Sequence, residues 1–186
     1  MQIDPNTIHA ALDIETLSLR PNAVILSIGI QFFSFGDTTL LGDPVTFYPS
    51  VSEQLAHGRD ISLDTVAWWR KQGDVARLVF DAQRTALVAV QADMTRLFEQ
   101  VGFNGGVWGF GSDMDNAKVE DMFRGAGLDC PWHYRANRCG RTLLGLAYAD
   151  RKDIVWPVAG NAHTAAGDAR SQAAAFAVAG LKLGSN

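Results

Sequence analysis

Apolar and polar positions divide the chain into two regimes. Up to Ser50 the apolar residues come in dense runs, Ile8 to Ile14 and then Ala23 to Phe35, the second rich in Val, Ile and Phe. Asp4-Pro5-Asn6, Arg20-Pro21-Asn22 and Phe35-Gly36-Asp37 punctuate these runs as turns. Pro44 to Tyr48 reads as a third strand, and strands this close together predict an antiparallel meander. After Ser50 the period lengthens. Ser62 is placed to cap a helix carrying Leu63, Val66, Trp69 and Arg70 that ends near Gly73. Thr85 is placed to cap a longer one, in which Leu87, Val90, Met94, Leu97 and Phe98 recur at a period near 3.6. Gly105 to Gly109 predicts a short strand, and a helix starts at Ser112 or Asp113 and runs to about Gly125. Thr142 to Ala149 reads as helix, and Thr164 to Leu183 as an alanine-rich final helix. No repeat, linker or low-complexity tail interrupts the pattern. Strands first, then helices alternating with a strand, predict an α/β fold whose mixed sheet is covered by helices.

The length of 186 residues suits a single domain over 1–186. A chain of this size buries roughly 70% of its unfolded surface, so its core needs no covalent staples. The two cysteines, Cys130 and Cys139, are too few for a disulfide framework or a zinc ribbon and read as reduced structural thiols. With 47% hydrophobic and 19% charged residues, a disordered chain is excluded. A net charge of −4 argues against broad electrostatic adhesion to nucleic acid or anionic membranes. It leaves room for a nucleic-acid enzyme that brings its own divalent cations. No apolar run reaches ~18 residues and no signal-peptide pattern opens the chain, so the expectation is a cytoplasmic protein without a membrane partner.

The acids carry the chemistry. Asp13 and Glu15 alternate with Leu12 and Ile14, so on a strand the two acids share one face and the two apolar residues enter the core on the other. At ~4 Å and an effective dielectric of 20, two such charges repel by about 4 kcal/mol. Water on an exposed strand relieves that repulsion, and so does a divalent cation taking both as oxygen ligands. Gly111-Ser112-Asp113-Met114-Asp115-Asn116 offers two further acids. Helical offsets of four, seven and eight from Asp115 reach Val119, Met122 and Phe123, which points Asp115 inward. The offsets of seven and eight from Asp113 reach Glu120 and Asp121, a solvated face, so Asp113 reads as a cap or first-turn acid. Within one helix His163 and Asp168 stand about 140° apart. A joint site therefore needs His163 in the loop before the helix, a loop that Gly160 and Asn161 make credible.

Taken in order, these residues resemble one family. Asp13-x-Glu15 on a first strand, Asp115 opening a middle helix and His163 five residues before Asp168 look like the DEDDh class of 3′→5′ exonucleases. The resemblance runs from about residue 8 to about residue 182. It is closest to the phage and bacterial exonuclease VIII-like subgroup, through Asp13-Ile14-Glu15-Thr16-Leu17 followed by Pro21-Asn22-Ala23. Trp68-Trp69, Trp108-Gly109, Asp115-Asn116, Gly127-Leu128 before Pro131-Trp132, and Arg141-Thr142 extend it. Two positions depart from the pattern: Cys139 stands between Arg138 and Arg141 where relatives often carry an acid, and Leu17 stands where many carry Gly.

The resemblance implies a ribonuclease H-like fold, a five-stranded mixed sheet with helices on both faces. It implies two Mg²⁺ or Mn²⁺ ions held by Asp13, Glu15, Asp115 and Asp168, about 3.5–4 Å apart as in two-metal sites. His163 is then the general base, and 5′-nucleoside monophosphates leave the 3′ end of single-stranded DNA or RNA. Neither nucleic acid is favoured, since no residue visibly reads a 2′-hydroxyl. Thr16 and Leu17 are expected at the terminal nucleotide, with Asn116 as a further substrate contact, although Leu17 also fits an ordinary core position. Of Trp68 and Trp69, adjacent on a helix, one fits the core and the other can stack on a base. Likeness to dimeric relatives implies a homodimer. Two other readings share the fold: a phosphodiesterase for dinucleotides, and a catalytically silent nucleic-acid-binding domain.

Overall fold

The structure, a computed structural model, describes residues 6–35, 40–158 and 163–184. Its sheet has the order β3-β2-β1-β4-β5. The strands are β1 (His9–Thr16), β2 (Ile25–Phe33), β3 (Leu40–Phe47), β4 (Val107–Gly109) and β5 (Asn137–Cys139). The first three form an antiparallel meander, and β4 and β5 add in parallel on the side of β1. Every residue of β2 is buried, which is why its sequence is an unbroken apolar run rather than an alternating one. The expected mixed sheet is present, with one strand that the pattern did not announce. β5 is three polar-to-neutral residues, and only its pairing with β4 makes it a strand.

The helices are α1 (Val51–Ala56), α2 (Leu63–Trp69), α3 (Asp74–Arg77), α4 (Leu87–Gln100), α5 (Asp115–Gly125), α6 (Gly140–Ala147) and α7 (Ala165–Gly184). Several starts differ from expectation for local reasons. Ser50 caps the unforeseen α1, its hydroxyl accepting the Glu53 N–H at 3.3 Å. Thr85 is not a cap; its backbone bridges to Pro49 and α4 starts after Ala86, with Glu53 Oε2 accepting the Leu87 N–H at 2.7 Å. Ser62 makes no side-chain cap bond, and Leu63 is exposed, so Trp69 is the only fully buried residue of α2.

The sheet is covered on both faces. On one, Leu12, Ile28 and Ile30 pack against Val90, Met94 and Phe98 of α4 and Val119, Met122 and Phe123 of α5. On the other, Ala11 and Phe33 meet Leu143 and Leu144 of α6 and Ala173, Phe176 and Ala177 of α7. The alanines let α7 lie close. Gly29 on β2 permits the approach, since a Cβ there would stand 2.1 Å from the Ala165 carbonyl group. Among the described residues no helix is long and apolar enough to cross a membrane.

Candidate active site

Three elements bring the acids together. Asp13 and Glu15 lie on the α7 face of β1, the face of Ala11, as strand alternation requires. Asp115 opens α5 one loop after β4. A Cβ at Gly109 would lie 2.3 Å from Asn116 Oδ1 and 3.0 Å from Asp115 Oδ2, so glycine at the end of β4 lets the first turn of α5 close onto the sheet. Asp115 is 9% exposed while Asp113 sits outside in the preceding turn. Asp113 does not cap the helix either; Met114 holds that position. Asp168 lies in the first turn of α7, and His163 lies in the turn just before it, with φ at 61°, a left-handed conformation. That geometry aims the His163 backbone N–H at Asp168 Oδ2, 3.1 Å away. Glu15, His163 and Asp168 each present a ligand atom, all within 4.8 Å of one another.

The four carboxylates repel one another in a recess with little compensation. Burial raises Asp13 well above the ordinary carboxylate range, and the charges of Asp115, Glu15 and Asp168 raise it further. The Gln172 amide, donating to Asp13 Oδ1 at 2.8 Å, opposes that rise. Burial first, then Asp168 and Asp115, push Glu15 up to about 8. Burial raises Asp115 to about 7 against the Phe110 backbone N–H and the charges of Lys118 and Arg141. Asp168 is raised by burial and held back by the His163 N–H. Among the described residues no lysine or arginine forms an ion pair with any of the four. Gln172 Oε1, beside Asp13, is buried without a hydrogen-bond partner among the described residues. A surplus of buried hard oxygen atoms and a deficit of positive charge is the donor set that divalent cations fit.

A family model for the Rv2179c-like 3′–5′ exoribonuclease domain matches residues 8–179. The chain belongs to this exoribonuclease family. No curated protein matches the chain. Among solved structures, exonuclease I of E. coli in complex with a 5cy-dA13 oligonucleotide is 17% identical, with a TM-score of 0.61 over 95% of this chain and 40% of that one. Apo exonuclease I is 16% identical, with a TM-score of 0.59 over 97% and 42%. Product-bound exonuclease I is 17% identical, with a TM-score of 0.58 over 93% and 42%. The chain thus spans less than half the length of these solved chains. The likeness establishes the ribonuclease H-like fold that these exonucleases share.

In this family member, two side chains expected at the substrate lie in the interior. Asn116 is fully buried; its Nδ2 donates to the Val107 carbonyl at 2.9 Å and to Asn137 Oδ1 at 3.1 Å, bracing β4 and β5. Leu17 packs in the interior with Val24, Leu26, Trp69 and Val79, the core position that its apolar side chain also allowed. Thr16 stays half-buried at the end of β1, its hydroxyl donating to the Ser18 carbonyl at 2.9 Å. The tryptophans divide as adjacency demands. Trp69 is buried and its Nε1 donates to the Thr16 carbonyl at 2.9 Å, whereas Trp68 is half-exposed and meets the His163 ring edge-on at 5.0 Å. Residues 159–162 of the loop before His163 lie outside the described residues.

Sequence reasoning missed Gln172, Lys118 and a cavity of about 180 Å³ bounded by Glu15, Ser27, Thr46, Tyr48, Leu78 and His163. Gln172 had a signal, since it stands four residues after Asp168 on the same helix face. The cavity had none: its walls come from β1, β2, β3, α3 and the turn before α7.

Proposed function

We propose that this chain is a metal-dependent 3′→5′ exonuclease that removes 5′-nucleoside monophosphates from the 3′ ends of single strands. The observation that carries the reading is the convergence of four buried or half-buried carboxylates, none in an ion pair among the described residues, beside an exposed histidine. Asp13, Glu15, Asp115 and Asp168 are the residues to hold two Mg²⁺ or Mn²⁺ ions, which when bound supply an activated water and charge stabilisation for the leaving 3′-oxygen. His163 is the residue that would take the proton of that water on its imidazole. Its position is set by the backbone bond to Asp168 and the edge contact with Trp68. The 180 Å³ cavity next to Glu15 and His163 accepts the terminal nucleotide, with Leu78 and Tyr48 for the base and the hydroxyls of Ser27 and Thr46 for the sugar. Thr16 follows Glu15 at the irregular last pair of β1 with β2.

The family description favours RNA, while the oligonucleotide bound by exonuclease I favours a single strand of DNA as the second reading. The motif set quoted above supports placement in the exonuclease VIII-like subgroup. The test is incubation with Mn²⁺ and 5′-labelled single-stranded RNA, single-stranded DNA and dinucleotides. A ladder shortening from the 3′ end, blocked by a 3′-phosphate, is the expected result. Asp115→Asn should abolish it and Asp113→Ala should leave most of it. Cleavage of closed circular strands, or equal loss in both folded variants, overturns the reading; action on dinucleotides alone moves it to a small-molecule phosphodiesterase.

A further inference from the structure

Beyond Asp115 the chain builds a second recess that the proposed chemistry does not use. It is a cavity of about 380 Å³ lined by Phe110, Arg141, Leu144, Tyr148, Arg151 and Ile154 among others, and it shares no wall residue with the cavity at Glu15 and His163. The Arg141 guanidinium lies 5.2 Å over the Phe110 ring. Trp156, 44% exposed, packs on the same ring at 6.0 Å. Neither Arg141 nor Arg151 forms an ion pair among the described residues. The acid of the recess, Asp150, is engaged by its own turn, accepting the Lys152 N–H at 3.0 Å. Tyr148 is buried and its hydroxyl has no partner among the described residues. Two unpaired guanidinium groups beside two aromatic rings make the combination that holds a single strand, phosphates on the cations and bases on the rings.

The direction of the chemistry says which part of the strand belongs there. In an in-line displacement the leaving oxygen stands opposite the attacking water. His163, the base for that water, stands at the Glu15 and Asp168 end of the carboxylates. The leaving 3′-oxygen, and the strand attached to it, therefore departs past the opposite end, where Asp115 and Arg141 lie. We propose that the cleft of Phe110, Arg141, Arg151 and Trp156 is the path of the single strand immediately upstream of the scissile bond. The arginines meet its phosphates, and Trp156 with Phe110 takes a base. This rests on the exonuclease reading and adds to it a binding site that determines how tightly long substrates are held.

The test uses two substrates with the full chain: a single-stranded dodecamer, and a nucleoside 5′-(p-nitrophenyl phosphate), which presents a terminal nucleotide and no upstream strand. Trp156→Ala should raise KM for the dodecamer about tenfold, the effect of one lost base stack, and leave hydrolysis of the ester unchanged. Arg151→Ala should reduce the slope of log KM against log salt by about 0.7, one phosphate contact on a single strand. Unaltered KM and salt slope in both variants overturn the path while leaving the nuclease standing. Equal losses on dodecamer and ester also overturn it, since they mark a general structural defect. If the unaltered protein cleaves neither substrate, the exonuclease reading itself falls and the path falls with it.

Discussion

His163 is exposed, in a left-handed backbone conformation, and bonded through its N–H rather than its ring to the acid it works beside. Among the described residues the imidazole makes no hydrogen bond, while the His163 backbone N–H ties the turn before α7 to Asp168. Removing the ring should remove chemistry and spare the carboxylates. His163→Ala should cost ~10²–10⁴ in single-turnover rate, the usual range for a general base. The rise in melting temperature caused by Mn²⁺ should persist in that variant and shrink in Asp13→Asn. Near-full activity of His163→Ala with saturating Mg²⁺ would sink the assignment, as would loss of the Mn²⁺ response.

At the scale of elements, the site depends on how closely helices lie on the sheet. α7 carries Asp168 and Gln172, and its approach requires the missing Cβ of Gly29. Gly140 plays the same part for α6, where a Cβ would meet the Phe176 ring at 2.1 Å. Gly29→Ala should push the first turn of α7 off β2, because its obstacle is backbone and cannot rotate away. A loss of stability of at least ~1–3 kcal/mol is expected, as for overpacked cores, together with reduced activity. Gly125→Ala provides the contrast: its Cβ would meet nothing within 4 Å, and it lies in α5, where alanine favours helix by up to about 1 kcal/mol. Urea denaturation of both variants decides the matter, and equal midpoints would refute the packing argument.

For the whole molecule, the acid cluster links folding to pH and to divalent ions. Each raised carboxyl binds its proton more tightly in the folded chain than in the unfolded one. The stability this confers is complete below the ordinary carboxylate range and is lost as pH rises toward about 7 for Asp115 and about 8 for Glu15. His9 pulls the other way: burial and then Arg138 lower it to about 4, so its contribution is present above the usual histidine value and lost as pH falls toward 4. The metal-free protein should therefore melt at a lower temperature at pH 8 than at pH 6.5. Divalent ions replace the protons, so Mn²⁺ should raise the melting temperature more at pH 8 than at pH 5.5. An equal rise at both values, read by calorimetry, would show that the ions bind elsewhere.

Much of this was readable from the chain alone, for a physical reason. The meander, the alternation that pairs Asp13 with Glu15, and the offsets that turn Asp115 inward and Asp113 outward are all short-range periodicities. Such periodicities survive in one dimension. The need for His163 to precede its helix also followed from the angle between residues on that helix. What tertiary structure alone decided are pairings between distant segments. Leu17 is core because Trp69 and Val79 arrive from other elements, and Asn116 is a brace because Asn137 stands opposite it. β5 is a strand because β4 lies beside it. The raised acids have the same origin: burial and the nearness of Asp13, Asp115 and Asp168 exist only once β1, α5 and α7 have met, and no local pattern encodes a distance across three elements.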